Sequence, residues 1–99
     1  GPKIFQDSRS TLLNNYTQKA IQAGDNRDFD LAISYFEKTS KLFPENKAIT
    51  ALGYGNMAYM YYVKGDKKNG FKYCRLAENT DPNFHTYSNT LAPCLRYEN

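Results

Sequence analysis

Two cysteines and a single histidine are the residues of this 99-residue chain best suited to bond chemistry. Cys74 and Cys94 lie 20 residues apart (94 − 74). In an oxidising space they could pair as a disulfide; in a reducing one they could stay as small buried thiols. That choice leaves two compartments open, the cytoplasm for free thiols and the periplasm or the secreted state for a bridge. His85 falls between the cysteines, but the three match no zinc-ligand spacing, so no metal site is expected. A nucleophile needs a base and a group that orients the base. One histidine without such neighbours assigns no catalytic residue. Gly53-Tyr54-Gly55 lacks the strand-to-helix context of a phosphate loop. No cofactor is expected, and the chain does not read as an enzyme.

A second group is electrostatic. Lys64, Lys67, Lys68, Lys72 and Arg75 form a basic patch that could meet an acidic partner. Asp66 and Glu78 dilute it, no base-stacking aromatics interleave it, and the net charge is only +3. The plainer reading is a solvated helix face, with no nucleic-acid partner. A third group is aromatic: nine tyrosines, each an apolar ring with a water-tolerant hydroxyl, suit half-buried positions and interfaces. Asn15-Tyr16-Thr17 is formally a glycosylation sequon, but it falls inside a helix pattern on a face expected to be buried.

Helices must position these groups. Forty per cent apolar and 23% charged residues fit one small soluble domain. No apolar run is long enough to span a membrane. Gly1-Pro2 reads as an expression scar, leaving 3–99 as a single domain and a native N-terminus expected to be missing. Asp7, Ser8 or Ser10 can cap a first helix with the stripe Leu12, Leu13, Tyr16, Ala20 and Ala23, stopped by Gly24-Asp25-Asn26. Asp28 can cap a second, with Leu31, Ala32, Tyr35, Phe36, Thr39 and Leu42 inward, ended by Phe43-Pro44. Asn46 can cap a third, reaching Lys64, with Ala48, Ile49, Leu52, Met57, Ala58, Tyr61 and Val63 inward. Gly53 and Gly55 inside it cost about 1 kcal/mol each in propensity and suggest close backbone approach. After Gly65-Asp66 a fourth helix places Phe71, Cys74 and Ala77 inward. Asp81-Pro82-Asn83 breaks the chain, and 84–99 is expected to be a capping segment interrupted at Pro93, with a turn of helix around Cys94 and Leu95.

Ala32, Phe36 and Pro44, with Tyr16 and Ala20 upstream, resemble the tetratricopeptide repeat (TPR) family. The same frame laid on Pro82 takes in Tyr54, Met57, Ala58 and Tyr61. Gly70 and Cys74 then stand where the family keeps Ala and an aromatic, and Lys67 replaces the aromatic after the turn. The prolines are 38 residues apart (82 − 44) rather than the family's 34. The four extra residues are expected at the start of the third helix, 47–50. A similar spacing occurs in bacterial cell-envelope TPR proteins. The resemblance implies an all-α stack of about two antiparallel helical hairpins, repeat 1 over about 11–46 and repeat 2 over about 47–83.

By position, the resemblance implies a concave groove lined by Asn14, Thr17, Gln18 and Ile21 from the first helix. Leu52, Gly55, Asn56, Tyr59 and Tyr62 come from the third. Only Asn56 matches the carboxylate clamp that binds heat-shock chaperone tails, so that partner class is not expected. The groove instead offers Tyr59 and Tyr62, beside a gap at Gly55, to a peptide or partner protein. The alternative is a structural scaffold or homo-oligomer in which those tyrosines are packed.

Overall fold

The computed structural model describes residues 8–88. Among them no strand occurs. Five helices follow one another: α1 (Ser8–Asp25), α2 (Phe29–Leu42), α3 (Lys47–Lys64), α4 (Lys67–Thr80) and α5 (Phe84–Tyr87). The protein is all-α. The first four helices form two hairpins, each helix packing on the next in chain order, and the short α5 sits against α3 and α4.

The boundaries have local causes. Asp28, Asn46 and Asp66 cap α2, α3 and α4: a side-chain oxygen of each accepts from the backbone N–H of Leu31, Ile49 and Asn69. Such a cap stabilises a helix by about 1 kcal/mol. α1 and α3 both end in a Schellman turn. After α1, Asp28 N–H donates to Ala23 at 2.8 Å and Arg27 N–H to Gly24 at 3.0 Å. After α3, Asp66 N–H donates to Tyr61 at 2.8 Å and Gly65 N–H to Tyr62 at 3.0 Å. The left-handed position is Arg27 (φ 63°) in the first turn and Gly65 (φ 102°) in the second.

Those two turns are 38 residues apart (65 − 27), and the offset runs through the structure. α2 and α4 have 14 residues each, with starts and ends 38 apart (67 − 29, 80 − 42). Ala20 and Ala58, Ala32 and Gly70, and Phe36 and Cys74 are buried pairs at this offset. The Tyr16–Tyr35 ring contact (6.0 Å) recurs as Tyr54–Tyr73 (6.3 Å). α1 and α3 both have 18 residues.

The hairpins meet in one core. Ala20, Ala23, Ala32, Ile33 and Phe36 close on Met57, with Tyr54, Met60, Tyr61 and Tyr73 at its margin. Ala51, Ala77 and the fully buried Phe84 make a second cluster under α5. Burying the Phe84 ring contributes about 1.5–3 kcal/mol. The glycines of α3 do mark close approaches. A Cβ at Gly53 would lie 2.7 Å from Ser40 Cα, and one at Gly55 would lie 2.5 Å from Phe84 Cζ.

Three residues of the expected stripes face outward: Leu12, Leu31 and Val63 are 39%, 43% and 40% exposed. Ile33, outside the expected stripe, is buried. α2 lies between α1 and α3 and is covered from both sides, so its buried arc is wider than one stripe. α1 packs mainly on α2, and its arc is narrower. The expected break at Pro93 and the turn around Cys94 and Leu95 lie outside the described residues.

Candidate functional site

Two clefts open between α1 and α3 and share Ile21 and Asn56. The smaller, about 290 Å³, is lined by Leu13, Asn14, Thr17, Gln18 and Ile21 of α1. Ile49, Leu52, Gly53 and Asn56 of α3 face them, with Thr39 of α2 between. The larger, about 510 Å³, lies toward the C-terminal ends of both helices. Ile21, Gly24 and Asp25 face Asn56, Tyr59, Met60 and Val63 there, with Phe36, Arg27 and Phe29 completing the wall. Helical spacing builds this furrow. Leu13, Thr17 and Ile21 recur every fourth residue on α1; Ile49, Asn56 and Val63 fall on one face of α3. Ala20 and Gly24 keep that side of α1 low.

Seven of the nine expected groove residues come together here: Asn14, Thr17, Gln18, Ile21, Leu52 and Asn56 in the smaller cleft and Tyr59 in the larger. Tyr62 does not join them. Its ring turns toward α4 and packs with Ala58 and Cys74. A Cβ on Gly70 would lie 2.9 Å from Tyr62 Cδ1. The missing methyl at Gly70, where the first hairpin has Ala32, is what seats the ring. Gly55 is also not a gap in the furrow, because Phe84 fills the space above it. Leu13, Ile49 and Val63, expected in the packed stripes, line the furrow as well, as does Met60, for which the sequence pattern gives no role; their helical spacing to Ile21 and Asn56 is the signal that could have placed them there.

The furrow mixes apolar and uncharged polar side chains and is nearly without charge. No ionisable side chain lines the smaller cleft. Asp25 and Arg27 stand at one end of the larger, with the Arg27 guanidinium 5.3 Å from the Phe29 ring centre. Ile21 is 53% exposed and Tyr59 38%. With Val63, they make three of the six large hydrophobic residues exposed among the described residues, all in one cleft.

The basic patch is partly neutralised. Lys64 pairs across the hairpins with Asp30 at 2.6 Å, a hydrogen bond that raises its pKa above the ordinary lysine value. Arg75 lies 3.8 Å from Glu78, with its guanidinium over the Phe71 ring at 5.3 Å. Lys72 approaches the Tyr73 ring at 5.5 Å. Lys67 and Lys68 are exposed on α4.

Cys74 is fully buried and disulfide-bonded, not a free thiol. Cys94, the only other cysteine of the sequence, lies outside the described residues. His85 Nε2 meets Glu78 Oε2 at 2.6 Å, tying α5 to α4. Among the described residues no group of three His, Cys, Asp or Glu side chains gathers to hold a metal ion. Beside α5, the buried Asp81 accepts from Tyr87 Oη at 2.7 Å and Asn83 N–H at 3.0 Å. The Tyr87 bond, then the Asn83 bond, hold the Asp81 carboxyl below the usual carboxylate range. Burial, then the bond to Asp81, push the Tyr87 phenol well above its ordinary value. Asn15 of the sequon is exposed on α1, not buried as expected. No helix among the described residues is long and apolar enough to cross a membrane.

Fold and furrow together define a class: a two-hairpin helical stack with an open cleft between its first and third helices. No family model, no curated protein and no solved structure matches the chain.

Proposed function

We propose that the chain is a TPR-like protein-interaction module and that the α1–α3 furrow holds a peptide or a segment of a partner protein. One observation carries this reading. The furrow gathers exposed Ile21, Tyr59 and Val63 around the carboxamide of Asn56, with no charge along most of its length. Apolar surface concentrated in a cleft marks an interaction site more often than scattered exposure does. The aromatic and aliphatic side chains supply contact area, and Asn56, Asn14 and Gln18 supply donors and acceptors for a backbone. The disulfide at Cys74 favours an oxidising compartment over the cytoplasm.

The test compares wild type with Ile21→Ser/Tyr59→Ala, both side chains being exposed so that the fold is retained. Affinity capture from source-cell extract should recover a protein with the wild type and lose it with the variant. Equal recovery would remove the furrow as the site. A concentration-dependent change in solution size, abolished by the same variant, would favour the homo-oligomer reading, in which the furrow meets a second copy.

A further inference from the structure

The 38-residue offset allows each residue of the second hairpin to be compared with its counterpart in the first. Residues that hold a hairpin together repeat: Tyr54 and Tyr73 correspond to Tyr16 and Tyr35. Residues by which α3 packs onto the preceding hairpin do not. Gly53, pressed on Ser40, corresponds to Asn15. Met57, buried in the shared core, corresponds to Lys19; Met60 corresponds to Gln22 and Tyr61 to Ala23. Asn15, Lys19 and Gln22 are all exposed, and the Lys19 ammonium lies 5.9 Å from the Tyr35 ring centre. A shallow cleft of about 310 Å³ opens on this face, lined by Lys19, Gln22, Ala23, Leu31 and Tyr35 among others. It is the place where the counterpart residues of α3 and α4 meet a neighbour.

We infer that the stack takes no neighbouring hairpin on its α1–α2 side. The outward face of α1–α2 is a solvated end that does not take a further repeat of this kind. The opposite side is covered by α5, whose Phe84 seats against Gly55, Ala51 and Ala77. Two physical terms close the first face. A neighbour would have to desolvate Lys19 and Gln22, where α3 presents Met57 and Met60. The Asn15 side chain also occupies the space that a Cβ-less position must leave for a helix to come as close as α2 comes to α3. The inference rests on the residues the face carries, whatever precedes Ser8 in the chain, and it stands apart from the furrow reading. Repeat arrays need such polar ends for solubility.

The experiment duplicates residues 8–45 directly before Ser8 in the full chain, which preserves the 38-residue offset and offers the face a surface known to receive Met57. In one fusion the original hairpin keeps its sequence. In the other it carries Asn15→Gly, Lys19→Met, Gln22→Met and Ala23→Tyr. Amide exchange and thermal unfolding are read for both. The expected result is an added hairpin that stays unprotected and leaves the midpoint unchanged in the first fusion, but is protected and raises the midpoint in the second. Protection with a raised midpoint in the first fusion would overturn the inference. Absence of coupling in both would overturn the assignment of the difference to these four residues.

Discussion

Gly53→Ala isolates the contact that joins the two hairpins. A Cβ at this position would lie 2.7 Å from both Ser40 Cα and Cβ and 2.8 Å from Ser40 N. Backbone atoms cannot rotate away, so α2 and α3 must separate by about 0.7 Å to restore ordinary contact at 3.4 Å (3.4 − 2.7). A gap of that size forfeits roughly a quarter to a half of the dispersion energy of each contact it opens, and the Phe36–Met57 core lies along the same interface. Overpacking of this kind costs about 1–3 kcal/mol. Because the clash is with the Ser40 backbone, the cost falls in the upper half of that range, about 2–3 kcal/mol. Alanine returns about 1 kcal/mol of helix propensity. The expected net loss is then about 1–2 kcal/mol, which for a domain of this size lowers the melting midpoint by roughly 4–16 °C. Gly24→Ala is the matched control. Its nearest neighbour is the flexible Met60 Sδ at 3.2 Å, so the propensity gain should dominate and stability should hold or rise. Far-UV circular dichroism melts and urea titrations measure both variants. A Gly53→Ala protein that melts at or above wild type would refute the close approach of α2 and α3.

Other perturbations test separate parts of the structure. Arg27→Gly relieves a left-handed non-glycine residue at the cost of its contact with Phe29, and should raise stability by about 0.5–1 kcal/mol in urea titration. Reduction of the disulfide at Cys74 should lower stability by about 2–4 kcal/mol, read as a lower midpoint with reductant present. The pair beside α5 predicts losses at both extremes of pH. Asp81 is held below its unfolded value, so its contribution is present above about pH 4 and is lost as pH falls through the lowered value. Tyr87 is held above its unfolded value of 10.0, so its contribution is full below pH 10 and is lost as pH rises beyond it. Absorbance titration at alkaline pH should find a phenol that ionises later than all the others in wild type, and Tyr87→Phe should lose that last step.

Much of the scaffold was legible because its signals are local. Asp28, Asn46 and Asp66 cap the helices they precede, and Pro44 and Pro82 follow the helices they end. The 38-residue spacing of the prolines is also the offset between the two hairpins. The misses depend on contacts between distant segments. Leu31 and Ile33 are two residues apart on α2; only its burial between α1 and α3 decides that Ile33 is covered and Leu31 is not. Tyr62 was placed in the furrow by its position in the repeat. The methyl absent at Gly70 draws its ring to α4 instead, an effect that needs both residues in view. Gly55 looked like a gap because its occupant, Phe84, arrives from beyond the second hairpin. The expected lining of the furrow came by position from the resemblance, and the residues it named fall at helical spacing on α1 and α3.

The most direct test of the furrow as the working surface is a residue-resolved map of binding. An isotope-labelled sample titrated with the captured partner, or with a peptide derived from it, should shift backbone amides at Ile21, Asn56 and Tyr59 first and most. The amides around Lys67, Lys68 and Lys72 should stay in place. Shifts confined to that lysine face of α4, with the furrow unchanged, would contradict the account.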